Sequence, residues 1–421
     1  MIVVTGARVL TTEGWKEWDV SIDDGVVAEL GHSIPQPADA IHVDGSGMVL
    51  GPGFVDLHTH LREPGQVWKE DMVSATTGAA RGGFTAVMAM PNTLPPTDSG
   101  DSVRWLRRRA IEAAVVDVGI SGALSRGRSG ELMSHLDEMY DEGVRMFTDD
   151  GDALMDGGLL RRIMIYLSDR PDAVIAQHAE DPAIAAGGHI HEGRRSQTLG
   201  FVGLPSSAEV TVIARDLALA AEVGTHYHVQ HISAAASVGL VRQAKGAGVK
   251  VTAEVTPHHL QLCEDDLVDL DTNMKMYPPL RSRADREALV EGLRDGTVDA
   301  VATDHAPHAD SEKDVPFEDA PRGVIGLETA FPATLAALDG DLDILFDRMS
   351  VRPAQIGGFA GHGRPLEKGS AANLVLVDPS AEWVAEGFAS RSNNSPFLGQ
   401  ELNGKVVATI VDGGLIYGDA S

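Results

Sequence analysis

Cysteine is nearly absent: Cys263 is the only one in 421 residues. An intrachain disulfide is therefore excluded, and a reducing, cytoplasmic setting is expected. Basic residues are scarce too. Lys and Arg number 34 against 62 Asp and Glu, for a formal charge of −28. A surface that acidic repels phosphate, so neither nucleic acid nor an anionic membrane is expected as a partner. An anionic substrate would need a local positive centre, such as a metal or an arginine. No uninterrupted apolar run approaches the roughly 18 residues of a membrane span. The opening MIVVTGARVL lacks the basic stretch and long apolar run of a signal peptide.

What is present reads as folded. Hydrophobic residues are 43% and charged residues 23%, which excludes a wholly disordered chain. Short strands with Asp-Gly and Gly-Gly turns fill both ends, from MIVVTGARVL to AIHVDGSGMVL and again in AANLVLVD and KVVATIVDGGLIYG. Neither end has apolar residues enough for its own core. Residues 1–50 and 366–421 are predicted to combine into one small β-sandwich domain.

The middle, 51–365, has another rhythm. Eight short apolar runs alternate with helical patterns: GFVDLH, FTAVMAM, VVDVGIS, GVRMF, AVIAQH, THYHVQH, VKVTAEV and DAVATD. Runs without polar alternation suit strands buried on both faces. Eight such units predict a (β/α)8 barrel, with an open doubly wound sheet as the competing arrangement.

The residues that end these runs carry the chemistry. They are His58 and His60, the pair Asp149-Asp150, His178, His231 and Asp304. In a parallel barrel all these ends share one face. His58 and His60 are two apart, so in an extended strand both point the same way. Imidazole with carboxylate suits Zn2+, with Mn2+, Co2+ and Fe2+ left open. With one aspartate of the pair counted, six donors exceed one tetrahedral zinc, whereas two ions sharing a carboxylate use all six. By strand parity His226 and His228 oppose His231 and are expected to face the helices. His258 and His259 are candidates to support the site from behind. The pair His189 and His191 follows no predicted strand. His32, His42, His135 and His362 are expected at the surface.

PGFVDLHTHLREPG (52–65), AMPNT, FTDDG, HAED, HVQHIS, AEVTPHHL, PPLR and ATDHAPH, in this order, resemble the dihydroorotases of the amidohydrolase superfamily, in the bacterial type I branch. The resemblance spans essentially the whole chain. It implies reversible, zinc-dependent cyclisation of N-carbamoyl-L-aspartate to L-dihydroorotate in pyrimidine (UMP) biosynthesis. It implies that His58, His60 and Asp304 hold one zinc, that His178 and His231 hold a second, and that Asp150 bridges them, with one position open to partial occupancy. Many relatives carry a modified lysine at the end of strand four; FTDDG has none. Asp304 is implied as the proton carrier. Arg62 and Asn92 are implied as contacts to the substrate carboxylate, and His308, Arg322 and Gly323 as further substrate contacts. Tyr277 departs from the asparagine usual before PPLR. The loop 309–323 is a candidate lid. Aspartate transcarbamoylase and a second copy of the chain are the partners this branch suggests. The competing readings are another cyclic-amide hydrolase, such as a hydantoinase, dihydropyrimidinase or allantoinase, and a non-catalytic scaffold for the transcarbamoylase.

Overall fold

The computed structural model describes residues 1–419. The eight apolar runs form eight parallel strands: β1 Phe54–Thr59, β2 Phe84–Ala89, β3 Asp117–Ile120, β4 Met146–Phe147, β5 Val174–Gln177, β6 His226–Val229, β7 Val251–Val255 and β8 Ala300–Val301. Parallel ladders join β1 to β3 and β4 to β8. Parallel bridges Gly122–Phe147 and Thr59–His305 close the two gaps. The sheet is therefore a closed barrel and not an open one. Asp56 ties the closing seam, accepting from the Thr303 amide and the Thr59 hydroxyl, each at 3.0 Å.

One principal helix follows each strand: α1 Met72–Arg81, α2 Gly100–Ala113, α3 Leu136–Asp141, α4 Gly157–Leu167, α5 Ser207–Val223, α6 Ala235–Gly246, α7 Arg283–Asp295 and α8 Ala330–Ala337. Their starts follow local chemistry. Asp71 and Ser282 accept from backbone amides at the N-termini of α1 and α7, satisfying donors that the first turn leaves orphaned. α3 starts only at Leu136, after the chain pairs Met133 with Ser125.

The barrel interior has two unlike sides. β1, β2, β4, β5 and β8 contribute a cluster of Leu57, Met88, Met146, Val174, Ala176 and Ala300, all buried. β6 and β7 contribute His226, His228, Thr252 and Glu254, hydrogen-bonded to one another. The expectation that His226 and His228 face the helices is therefore wrong. Tyr227 faces them instead, donating to Asp216 of α5 at 2.9 Å. The parity argument failed because the chain leaves extended geometry at His231, where φ is +31°.

The two ends of the chain meet. Strands Ile2–Thr11, Gly14–Asp23, Val26–Gly31, Ile41–Asp44, Val49–Pro52, Leu374–Val384, Glu401–Val411 and Gly414–Tyr417 form one continuous eight-stranded sheet. Its joint is the antiparallel pairing of Val49–Pro52 with Leu374–Val377. Its core, including Val4, Val20, Leu50, Leu374 and Ile410, draws on both ends.

Candidate metal centre and active site

A cavity of about 210 Å3 opens where the barrel strands end. It is lined by His60, Asp150, His178, His231 and Asp304, together with Arg62, Asn92, Tyr277, His308, Arg322 and Gly323. His58 lies directly beneath, fully buried. The backbone is bent to achieve this convergence. Arg62, His231 and Asp304 all have positive φ, at +58°, +31° and +46°. L-residues rarely occupy that region, and sites where function constrains the chain are where it recurs.

Among the described residues two groups of donors could hold a metal ion: His58, His60 and Asp150, and Asp150, His178 and His231. Asp150 belongs to both. Its Oδ1 lies 3.1 Å from His58 Nε2 and 3.9 Å from both His178 Nδ1 and His231 Nε2; its Oδ2 lies 3.5 Å from His60 Nε2. Asp304 Oδ1 flanks the first group, 3.0 Å from His60 Nε2 and 3.6 Å from His58 Nε2. Donors about 2.1 Å from a tetrahedral centre stand about 3.4 Å apart, so this spacing fits a cation. His58 Nε2 and Asp150 Oδ1 are moreover buried without a hydrogen-bond partner. A cation between them satisfies both, which makes the donor set a fit for metal.

Electrostatics follows from this crowding. Burial opposes ionisation, but His58 and the other imidazoles hold Asp150 well below the usual carboxylate range. Asp304 is held low in the same way, by His58 and His60 against burial. Burial and the neighbouring His231 push His178 down to about 3, leaving a neutral imidazole. Metal ligation requires such neutral imidazoles and ionised carboxylates.

Neighbours fix the donors. His60 Nδ1 donates to Asn92 Oδ1 at 2.9 Å, and Asn92 Nδ2 reaches Asp150 Oδ2 at 3.4 Å. Asn92 thus braces two donors while lining the cavity. His58 Nδ1 donates to Glu254 at 2.7 Å. Despite burial, hydrogen bonds from His228 and His58 hold Glu254 at about 2. Arg128 grips the carbonyl of Asp150 at 2.6 Å. Asp149 turns away, accepting from the Ser125 amide at 3.0 Å. Of the Asp149-Asp150 pair, Asp150 alone points into the cluster.

On the opposite wall Arg62 Nε donates to the Pro307 carbonyl at 3.2 Å, which leaves both Nη groups for a ligand. Burial lowers Arg62 to about 10, so it stays charged at neutrality. His308 Nε2 donates to the Arg322 carbonyl at 3.0 Å, and Lys69 Nζ approaches its Nδ1 at 3.4 Å. Tyr277 is sandwiched, its ring 4.9 Å from His178 and 4.1 Å below the Arg322 guanidinium. Gly323 has φ +137°, and a Cβ there would meet Ala306 at 2.9 Å and His308 at 3.0 Å.

The 309–323 loop is clasped. Lys313 Nζ donates to the carbonyls of Thr272 and Pro321, each at 2.9 Å, and Lys275 Nζ to those of Phe317 and Glu318 at 2.6 and 2.8 Å.

The other histidines divide. His259 is buried and hydrogen-bonds Thr256 and the Pro278 carbonyl at 2.7 and 3.1 Å. His258 is buried beside it. His191 lies on a two-residue strand, Ile190–His191, 3.4 Å from Arg281. His362, expected at the surface, is buried and bonds Thr85 and Asp117 at 2.9 and 2.8 Å. Its sequence neighbourhood, GHGRP, looks like loop, and the cover over it comes from residues more than 200 positions away. Glu254, Arg128 and Lys69 escaped sequence reasoning. For Glu254 the available signal was a carboxylate inside the apolar run VKVTAEV.

Residues 47–237 match the family model described as Dihydro-orotase-like. The dihydroorotase of Thermoanaerobacter sp. (strain X514) is 43% identical over 95% of this chain and 93% of its own length. That of Geotalea daltonii is 41% identical over 99% of both chains. Among solved structures, the L-hydantoinase of Arthrobacter aurescens superposes with a TM-score of 0.88 at 26% identity, covering 100% of this chain and 96% of its own. The dihydropyrimidinase of Brevibacillus agri shares the fold, with a TM-score of 0.86 at 24% identity over 100% and 95% of the two chains. With relatives at this identity over nearly its whole length, and a cyclic-amidohydrolase fold around a histidine–aspartate cluster, the chain belongs to the dihydroorotase family.

Proposed function

We propose that this chain interconverts N-carbamoyl-L-aspartate and L-dihydroorotate, with His58, His60 and Asp304 holding one zinc ion, His178 and His231 a second, and Asp150 shared between them. One observation carries the reading: Arg62 and Asn92 line the same cavity as the donor cluster. Hydantoin and dihydrouracil carry no carboxylate and have no use for Arg62; dihydroorotate does. A guanidinium fork recognises a carboxylate through two parallel hydrogen bonds.

Divalent metal, when bound, lowers the pKa of water towards neutrality and stabilises negative charge developing on oxygen. The chain's own residues do the rest. Arg62 and Asn92 fix the substrate carboxylate, which orients the ring amide towards Asp304. In hydrolysis, water oxygen bonds to the amide carbon while a carboxylate oxygen of Asp304 takes its proton. Asp304 then delivers that proton to the ring nitrogen as the carbon–nitrogen bond breaks. Cyclisation runs the same transfers backwards. Tyr277 and Arg322 wall the cavity beside His178, and His308 steadies the Arg322–Gly323 backbone against the substrate.

The same reading treats 51–365 as the catalytic barrel and 1–50 with 366–421 as the small domain. It places the protein in the cytoplasm, where the single Cys263 stays reduced. No helix among the described residues is long and apolar enough to cross a membrane. Association with aspartate transcarbamoylase, or with a second copy, is part of the reading; co-elution at micromolar concentration supports it and separate elution opposes it. The substrate is tested by comparing L-dihydroorotate with hydantoin and dihydrouracil. Preference for dihydroorotate, abolished in Arg62→Met, is expected. Equal or better turnover of the uncharged rings would favour the hydantoinase-like alternative, and no turnover of any ring with metal bound would favour the scaffold.

A further inference from the structure

We propose that His228 and Glu254 are positioning residues that aim the ligand nitrogen of His58, through a hydrogen-bonded chain running across the barrel interior from His226. The inference rests on the metal reading above and is independent of the substrate.

His58 has two ring nitrogens with different duties. Nε2 faces Asp150 at 3.1 Å, and Nδ1 is held by Glu254 Oε1 at 2.7 Å. The other carboxylate oxygen of Glu254 accepts from His228 Nε2 at 3.0 Å. With Nε2 of His228 donating, its Nδ1 accepts from the Thr252 hydroxyl at 2.8 Å. That hydroxyl oxygen in turn accepts from His226 Nε2 at 2.9 Å. In that order every donor points towards Glu254. The outcome at the far end is a His58 with its proton on Nδ1 and its lone pair on Nε2, aimed at the cluster.

Filling space does not explain these residue types. The facing half of the same interior is filled by Leu57, Met88, Met146 and Val174. His228 and Glu254 are as deeply buried as those residues, and burying polar groups is unfavourable unless each finds its partner. Severing the chain at His228 leaves Glu254 Oε2 buried and unpartnered, with only the His58 ring and, at 3.4 Å, the His231 amide on Oε1 to hold the carboxylate in place.

The test needs no substrate. Co2+ affinity is measured by chelator competition on the metal-stripped full chain, with the cobalt absorption spectrum as a check on ligand geometry. His228→Leu is expected to bind Co2+ about 10- to 100-fold more weakly with an altered spectrum. His228→Gln, whose amide still donates to Glu254, is expected to restore most of the affinity. Thr252→Val, isosteric but unable to donate, falls between, and with His228→Gln it decides the matter if His228→Leu does not fold. Wild-type affinity in His228→Leu or in Thr252→Val, or a His228→Gln as weak as His228→Leu, overturns the proposal. A wild-type chain that takes up no Co2+ overturns the metal reading, and this proposal with it.

Discussion

The two halves of the barrel interior make opposite use of burial. On one side Leu57, Met88, Met146, Val174, Ala176 and Ala300 fill space. On the other, His226, Thr252, His228 and Glu254 hold one another in hydrogen bonds that end on His58. Both halves lie largely out of water, with His226 and Thr252 half-buried at one end, but the first gains from leaving water and the second must be compensated for it. The apolar half accounts for the barrel being a barrel. The polar half accounts for a donor cluster assembled at its mouth. Damage to the first should therefore read out as lost stability, and damage to the polar mouth as lost chemistry.

The comparison is broken most forcefully at Asp304. Asp304→Asn is expected to lower kcat about 100- to 10,000-fold, while part of the metal is retained. Turnover within a few-fold of wild type would remove Asp304 as the proton carrier. Next comes Arg62→Met, which should lower kcat/KM for L-dihydroorotate about 100-fold or more by removing a charged partner. An unchanged kcat/KM would free Arg62 from substrate recognition. The apolar half is probed by Leu57→Ala, expected to cost about 2–5 kcal/mol in denaturant unfolding and to leave Co2+ affinity unchanged. A stable Leu57→Ala chain that lost its metal would reverse the assignment of the two halves.

The smallest effect concerns Glu180, a buried carboxyl outside either half. Its Oε1 has no hydrogen-bond partner, and burial pushes it up to about 8 against the pull of Arg322 and Arg281. Its ordinary value is 4.5, so between there and about 8 the folded chain holds a proton that the unfolded chain has released. Stability then falls as pH rises through that window. Glu180→Gln lacks this exchange and should gain on wild type between about pH 5 and pH 8 in urea midpoint. Parallel pH dependence of the two proteins would contradict the upward shift.

The apolar half was the legible half. FTAVMAM and AVIAQH announce strands buried on both faces, and the structure puts β2 and β5 there. Strand-end donors were legible for the same reason: parallel strands bring their ends to one face, whatever their separation in sequence. The polar half was not. Strand parity sent His228 outwards, because nothing in HVQHIS shows that the backbone turns left-handed at His231. Glu254 is a carboxylate inside the apolar run VKVTAEV, but its partners lie on β6 and β1, far from it in sequence. Tyr277 was recognised as a departure, but its place between His178 and Arg322 depends on loops that meet only in the folded chain.

On this reading it is the donor cluster, loaded with metal, that turns over L-dihydroorotate. The most direct measurement strips the purified chain of metal, resupplies zinc, and follows L-dihydroorotate hydrolysis with bound zinc determined in the same samples. Turnover is expected to vanish on stripping and to return as zinc approaches two per chain. Turnover that survives complete stripping, or that fails to return with both positions filled, would contradict it.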